Sequence, residues 1–301
     1  MQSLAQRGTR TAALGSRRQL AVQLPTIRNV GRSRSQVAVN AMMSTSSSNP
    51  AFTMGKIDEA IYETGGRRGG AELMTVDGAV QKTSLLLAVS VMGAAYTWMQ
   101  VFSGNAAAAM AALGASKIAG MVGMASALAT MFKPQWSPTT SLIFSASKGI
   151  ALGAFSAVME LRYPGIVLNA IMLVFGTAAS LLFAYQARMI SVTDNFRNGV
   201  MMVTGGYMFA ILGSWLLSLA GVQMPGLMSG GVVGIGISLV AAALAAANLL
   251  LDFDMIKSAA RSRMPKWFEW YAGFSLMVTL VWFYTEALKL LSMFAGGRRD
   301  D

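Results

Sequence analysis

The sequence predicts an all-α, polytopic membrane protein built as a bundle of seven transmembrane helices. Hydrophobic residues make up 54% of the 301-residue chain and charged residues only 12%, about half the fraction typical of soluble domains. The apolar residues also gather in long runs, each sufficient to cross about 30 Å of hydrocarbon at about 1.5 Å per residue. Short segments rich in Pro, Gly and charge separate the runs, as expected for loops between spans.

The chain contains no Cys and no His. Disulfides, thiolate or imidazole metal ligands and His-activated nucleophiles are therefore excluded. Intramembrane aspartyl proteolysis needs two facing carboxylates on different helices, and its Gly-x-Gly-Asp context is absent, so we predict that the protein is not an enzyme. We also predict no cofactor-binding residues and no bound metal. Any ion or acid–base chemistry must use Asp, Glu, Lys, Arg or Tyr.

The net charge of +11 does not predict a nucleic-acid partner, because the basic residues lie mainly in the N-terminal segment and in short loops. The expected partner is the lipid bilayer. Residues 1–41 are rich in Arg and Ser, and the first acidic residue of the chain is Asp58. This composition is typical of an organelle transit peptide. The sequence Val37-Ala-Val-Asn-Ala41 resembles a plastid-type processing site and favours the chloroplast, with the mitochondrial inner membrane as the alternative.

Residues 42–76 predict a disordered polar linker, since their Ser-, Gly- and Arg-rich composition cannot bury a core. Residues 77–297 form the predicted seven-helix transmembrane domain. The basic loop residues lie mostly in every second loop, and therefore on one side of the predicted spans, which places the N-terminus on the positive-inside side, the stroma or matrix. The spans are predicted near 79–102, 106–131, 139–160, 164–187, 198–220, 228–252 and 268–294.

Two carboxylates, Asp252 and Asp254, end the sixth predicted span. A carboxylate in hydrocarbon is costly and fits poorly at the negative end of a helix dipole. Residues two apart lie about 200° apart around a helix, so one carboxylate can face inward while the other meets solvent. Asp254 is able to pair with Lys257 at i, i+3, so Asp252 is the leading candidate for an ion pathway or pH sensor and Asp254 is the weaker one.

Lys148 lies about ten residues into the third span, near the middle of the membrane, where an unpaired ammonium is expensive. We therefore predict a Lys148–Asp252 ion pair. Such a pair could act as a lock that opposes cations until Asp252 is protonated, or it could only fix helix packing. Glu160 is a second candidate: it lines a cation exit, or it sits at the interface beside Arg162.

Glu286, in the seventh span, also has two interpretations. It lines the same exit, or it pairs with Lys289 at i, i+3. Near the start of that span, Glu269 and the aromatic residues between Trp267 and Tyr271 predict an interfacial belt.

Five segments, in this order, resemble the Bax inhibitor family of seven-span proteins, in its bacterial YccA-like branch. They are Met74-Thr-Val-Asp-Gly-Ala-Val-Gln-Lys-Thr83, Tyr163-Pro-Gly-Ile-Val-Leu-Asn169, Val192-Thr-Asp-Asn-Phe-Arg197, Asn248-Leu-Leu-Leu-Asp-Phe-Asp254 and Pro265-Lys-Trp-Phe-Glu-Trp-Tyr271. The resemblance covers roughly residues 50–294 and implies a bundle with the last helix at its centre.

Some members of that family conduct Ca²⁺ as pH-sensitive leaks, with a pair of intramembrane aspartates as the proposed sensor. The resemblance matches the first aspartate to Asp252 and places Thr279, or a close neighbour, where the second would be. It implies a pH-sensitive leak for cations, Ca²⁺ among them, or a role in ion homeostasis. The alternative is an interaction protein that modulates a membrane protease or the assembly of a membrane complex, with residues 42–76 as its docking element.

Overall fold

A computed structural model describes residues 72–219 and 232–297 of the chain. Within these ranges the polypeptide forms seven long α-helices and one short 3₁₀-helix, Pro134–Trp136, and its only strand-like pairing is an isolated bridge between Leu73 and Pro265. The α-helices are α1 (Val76–Val101), α2 (Ala106–Phe132), α3 (Ser137–Arg162), α4 (Ile166–Gln186), α5 (Asp194–Leu219), α6 (Val232–Arg261) and α7 (Phe268–Gly297).

Six of these helices, all except α5, are long and apolar enough to cross a membrane. This finding confirms the predicted class, an all-α polytopic membrane protein. The helix α5 contains 26 residues and coincides with the fifth predicted span, and that it crosses the membrane stays a prediction.

The helix ends follow local signals in the sequence. Thr75 caps α1 by accepting a hydrogen bond from the backbone N–H of Gly78 at 2.9 Å, and the side chain of Asn105 caps α2 in the same way. Gly165 adopts a left-handed conformation with φ of 85°, which lets the chain reverse between α3 and α4. The breakers around Asn105 and Gly165 therefore do separate helices, as predicted.

The helix α6 continues well beyond the span predicted to end at 252. It reaches Arg261, so that Asp252 lies about 13 Å from the helix end at about 1.5 Å per residue. The added turns carry Met255, Ile256 and Ala259, which are buried against other helices. The sequence predicts that Asp252 lies at the negative end of the helix dipole. This prediction is wrong, because that end of α6 lies more than two turns beyond Asp252.

The last helix, α7, lies at the centre of the bundle, as the family resemblance implies. It packs against α1, α3, α4 and α6, and Phe268, Tyr271 and Phe274 on α7 are fully buried. The prediction of an interfacial aromatic belt is wrong for Phe268 and Tyr271, because their rings form part of the protein core. Trp267 and Trp270 are half-buried and pack against the same core.

The chain just before α1 pairs with the α6–α7 loop. The backbone N–H of Met74 donates to the carbonyl of Met264 at 2.8 Å, and the N–H of Lys266 donates to the carbonyl of Glu72 at 3.0 Å. The described structure thus includes the end of the linker predicted over 42–76. The predicted transit peptide, 1–41, and residues 42–71 lie outside the described residues.

Candidate intramembrane carboxylate site

Asp252 lies between α6 and α7 with only 1% of its surface exposed. Its Oδ1 accepts a hydrogen bond from Ser275 Oγ at 3.1 Å, and its Oδ2 accepts one from Thr279 Oγ1 at 2.6 Å. Ser275 and Thr279 are four residues apart on α7 and therefore share one face of that helix. The inward orientation predicted for Asp252 agrees with this geometry.

One turn before Asp252, Asn248 extends the polar face of α6 toward α5. Its side-chain amide donates to Thr204 Oγ1 at 2.8 Å. The buried polar groups of α6 thus connect α5 to α7 through hydrogen bonds rather than through apolar packing alone. Hydrogen bonds in this low-dielectric setting are expensive to break, so they fix the rotation of α6 about its axis.

Thr279 changes the chemistry that the family resemblance implies for this position. Two facing carboxylates repel each other when both are charged, and they tend to share one proton. A threonine hydroxyl instead donates to the charged carboxylate, and such a charge-assisted bond is worth about 1.5–3 kcal/mol. Asp252 therefore has hydroxyl donors on α7 where a second acid is expected.

The predicted ion pair between Lys148 and Asp252 does not form. The ion pairs within 4.0 Å in the described ranges do not include this one. Lys148 Nζ lies 6.0 Å from the centre of the Phe144 ring, and the Lys148 stem packs closely against Gly123 of α2. Gly123 has no side chain, which leaves room for the long stem of Lys148 beside α2.

Asp254 lies on the other side of α6, as the 200° offset predicts, but its partners differ from the predicted one. Its Oδ2 accepts from Arg197 of α5 at 2.6 Å and its Oδ1 accepts from Tyr185 of α4 at 2.8 Å. Lys257 instead places its Nζ 4.1 Å from the centre of the Tyr185 ring. The predicted Asp254–Lys257 pair is therefore wrong.

We call the group formed by these four side chains the Asp254 cluster: Tyr185, Arg197, Asp254 and Lys257. Its contacts join α4, α5 and α6.

Glu286 forms the predicted i, i+3 pair, because Lys289 Nζ lies 3.2 Å from both carboxylate oxygens. The Glu286 side chain is nearly fully buried, and it also accepts a hydrogen bond from Tyr207 of α5 at 3.0 Å. Glu286 is thus a buried carboxylate with a partly exposed cationic partner. It contacts the middle of α5, whose first turn is held by the Asp254 cluster.

Glu160 accepts hydrogen bonds from the backbone N–H groups of Gly165 at 2.6 Å and Val167 at 3.1 Å. It therefore satisfies free donors at the start of α4, where a negative charge is favourable. Arg162 lies next to Tyr163 instead, with its guanidinium 5.8 Å from that ring. The geometry agrees with the interfacial interpretation of Glu160 but gives it a helix-capping contact that the sequence did not suggest.

Glu269, which the sequence predicts in an interfacial belt, is instead a buried charged residue. Its carboxylate is fully buried and accepts from the backbone N–H of Thr75 at 3.0 Å and from Thr75 Oγ1 at 3.1 Å. Lys266 Nζ lies 3.4 Å from the same oxygen. A carboxylate at the starts of both α1 and α7 is favoured by two helix dipoles. Only its place in the first turn of α7 is visible in the sequence.

The described residues contain no group of three or more acidic side chains that could hold a metal ion. Asp252 provides one carboxylate and two neighbouring hydroxyls, too few for a tight Ca²⁺ site with its six to eight oxygen ligands. The arrangement instead places a single ionisable group in a protected position between two membrane helices.

The fold and this site define a polytopic, α-helical membrane protein with a buried carboxylate between its last two helices. The sequence pattern of the Bax inhibitor 1 like family matches residues 25–296, most of the chain. The protein therefore belongs to the Bax inhibitor 1 like family. Comparisons with curated proteins and with solved structures give no match.

Proposed function

We propose that this protein is a pH-sensitive leak for cations, Ca²⁺ among them, and that Asp252 controls it. The observation that supports the proposal is the Asp252 carboxylate, buried between α6 and α7 and bonded to Ser275 and Thr279. An ionisable residue inside a membrane protein is costly to maintain, and such residues commonly serve ion or proton movement.

In the proposed mechanism the observed contact of α6 with α7 is the closed state of the pathway. Asp252 is buried, so a cation reaches it only when α6 and α7 separate at this level. The hydroxyl bonds to the charged carboxylate oppose that separation, and protonation of Asp252 weakens them because bonds to a charged acceptor are about twice as strong as neutral ones. The charge of Asp252 also attracts a cation. Protonation therefore favours the separation of the helices but removes the attraction for the cation, and through these two opposing effects the flux depends on pH.

The ligands available on the pathway suit passage rather than storage. Ca²⁺ requires several oxygen ligands, and Asp252, Ser275 and Thr279 with backbone carbonyls and water supply them only transiently. Weak, short-lived coordination is what conduction needs, because an ion must leave the site as readily as it arrives.

Reconstitution into liposomes tests this proposal. We expect Ca²⁺ uptake to exceed that of empty liposomes, and we expect Asp252→Asn to remove its pH dependence. Asp254→Asn is a matched control, since it changes the same residue type on the same helix but outside the α6–α7 contact. A flux absent at every pH, or equal in Asp252→Asn and the unaltered protein, would rule the mechanism out.

We further propose that the protein resides in an organelle membrane, with the chloroplast favoured over the mitochondrial inner membrane and the N-terminus in the stroma or matrix. The acid-free, Arg-rich segment 1–41 supports this location. Import of the radiolabelled full chain into isolated chloroplasts and mitochondria distinguishes the two, and protease protection of a tag inserted just after residue 41 reports the side of the N-terminus that remains after processing. Exclusion from both organelles contradicts the proposal.

A role as an interaction protein that modulates a membrane protease or the assembly of a membrane complex is a second candidate. The pairing of residues 72–74 with the α6–α7 loop favours it, because a partner bound to the preceding segment would lie next to the start of α7. Stable partners that co-purify with the full chain, and are lost when residues 42–71 are deleted, would support this function. Partners that persist without that segment would contradict its docking role.

A further inference from the structure

A cavity of about 550 Å³ lies between α1, α3, α4 and α7, and Asp252 is not among its lining residues. Val91, Trp98, Leu152, Phe175 and Val281 form part of its apolar lining. We propose that this cavity, which we call the lateral cavity, binds one acyl chain of a bilayer phospholipid. The inference is independent of whether the protein conducts ions.

The lateral cavity opens sideways, toward the hydrocarbon of the membrane. The helices α1 and α4 each pack against both α3 and α7, and the cavity lies in the gap between them. The lining residues on either side of this gap have exposed side chains: Val91 of α1 is 60% exposed and Phe175 of α4 is 46% exposed. Because α1 and α4 are candidate membrane spans, the surroundings of this opening are lipid tails rather than water.

The height of the lateral cavity matches one leaflet of a bilayer. Its lining on α1 runs from Leu87 to Trp98, a distance of about 16 Å along the helix at about 1.5 Å per residue. This is roughly half of the 30 Å hydrocarbon thickness. Except for Leu87, near the middle of the helix, these residues belong to the second half of α1, and the lining residues of α4, from Val167 to Phe175, belong to its first half. The cavity therefore lies in the leaflet at the face of the α3–α4 loop.

Two hydroxyl groups lie in the wall of the lateral cavity, one on α3 and one on α7. Ser156 Oγ and Tyr284 Oη, which both line the cavity, are 2.7 Å apart and hydrogen-bonded. Ser156 lies about 9 Å from the end of α3 at about 1.5 Å per residue. It is nearer to that end than Leu152, which also lines the cavity. Two hydroxyls carry two hydrogens, so one remains to donate to an ester carbonyl. The lateral cavity thus offers one hydroxyl donor in a mostly apolar wall, and that wall fits an acyl chain.

Photo-crosslinking of the full chain in nanodiscs tests the proposal, with a phosphatidylcholine that carries a diazirine in its acyl chain. We expect labelled peptides, located by mass spectrometry, to concentrate in α1 and α4 around Val91 and Phe175. A parallel sample with a diazirine-labelled free fatty acid identifies the source of the chain. Labelling spread evenly over α2 as well, or obtained with the fatty acid alone, would overturn the proposal.

Variants that fill the opening provide the specific readout. Ala95 lines the cavity and is exposed, so Ala95→Phe should reduce labelling of α1 and α4 several-fold. Ala125→Phe, at an exposed position of α2 outside the cavity, should leave it unchanged. Ile171→Trp narrows the opening from the α4 side and serves as a second blocking variant if Ala95→Phe does not fold. Unchanged labelling in a folded blocking variant contradicts an acyl-chain site.

Discussion

The hydrogen bond from Thr279 to Asp252 is short, buried and made to a carboxylate, so its removal should have a measurable cost. We predict that Thr279→Val lowers the free energy of unfolding by about 1.5–3 kcal/mol, the range for a hydrogen bond to a charged group. Val nearly preserves the shape of Thr, so the change removes the donor at 2.6 Å without a large cavity. Thr279→Ser keeps a hydroxyl and should retain most of the stability.

Unfolding by sodium dodecyl sulfate in mixed micelles provides the assay, and a double-mutant cycle isolates the bond. In an Asp252→Asn background the acceptor is uncharged, so the same Thr279→Val change should cost about half as much or less. The difference between the two costs measures the coupling between the side chains. A cost for Thr279→Val below about 0.5 kcal/mol, or one that is equal in both backgrounds, would refute the assignment of Thr279 as the partner of the Asp252 charge.

The remaining predictions concern contacts that fix the helices around this site. Gly149→Ala should destabilise the fold strongly, because a Cβ there meets the backbone of α1, whereas Gly176→Ala has open space and should cost little; thermal unfolding compares them. Arg197→Gln and Asp254→Asn should show non-additive losses of stability in a double-mutant cycle, since their side chains are 2.6 Å apart; additive losses would contradict the pair. Glu269→Gln should increase proteolysis before α1, because the charge holds Thr75, and an unchanged cleavage rate would contradict this role.

The positions of the helices could be predicted from the sequence because a membrane span is a local property. Each apolar run is long enough to cross hydrocarbon by itself, and the predicted 106–131 differs from the observed helix Ala106–Phe132 by a single residue. The prediction was poorer for α6, where the apolar run ends near Asp252 while the helix continues to Arg261. Charged and small polar residues end a hydrophobic run without ending a helix.

The rotation of each helix was harder to predict than its position. The separation of Asp252 from Asp254 follows from the helix repeat alone, and the structure agrees with it. The pairing of Lys148 with Asp252 rested on membrane depth, which contains no information about the direction in which Lys148 points. The Arg197–Asp254 contact likewise joins two helices whose relative rotation depends on the whole bundle.

The contact of Glu269 with Thr75 shows the same limit for a buried acid. The two residues are 194 positions apart in the chain, and an acid followed by aromatic residues is equally compatible with a membrane interface. Thr279 was placed near Asp252 only through the family resemblance, since neither its spacing nor its polarity distinguishes it from other helix threonines. Partners across helices therefore require the packed structure.

The most direct test of the central claim is the initial rate of Ca²⁺ uptake into liposomes, measured in acidic, neutral and alkaline buffer for the unaltered protein and for Asp252→Asn. If the buried carboxylate between α6 and α7 controls the flux, the rate changes with pH in the unaltered protein and is constant with pH in Asp252→Asn. An equal pH dependence in both proteins, or the absence of Ca²⁺ uptake in the unaltered protein, would contradict the account.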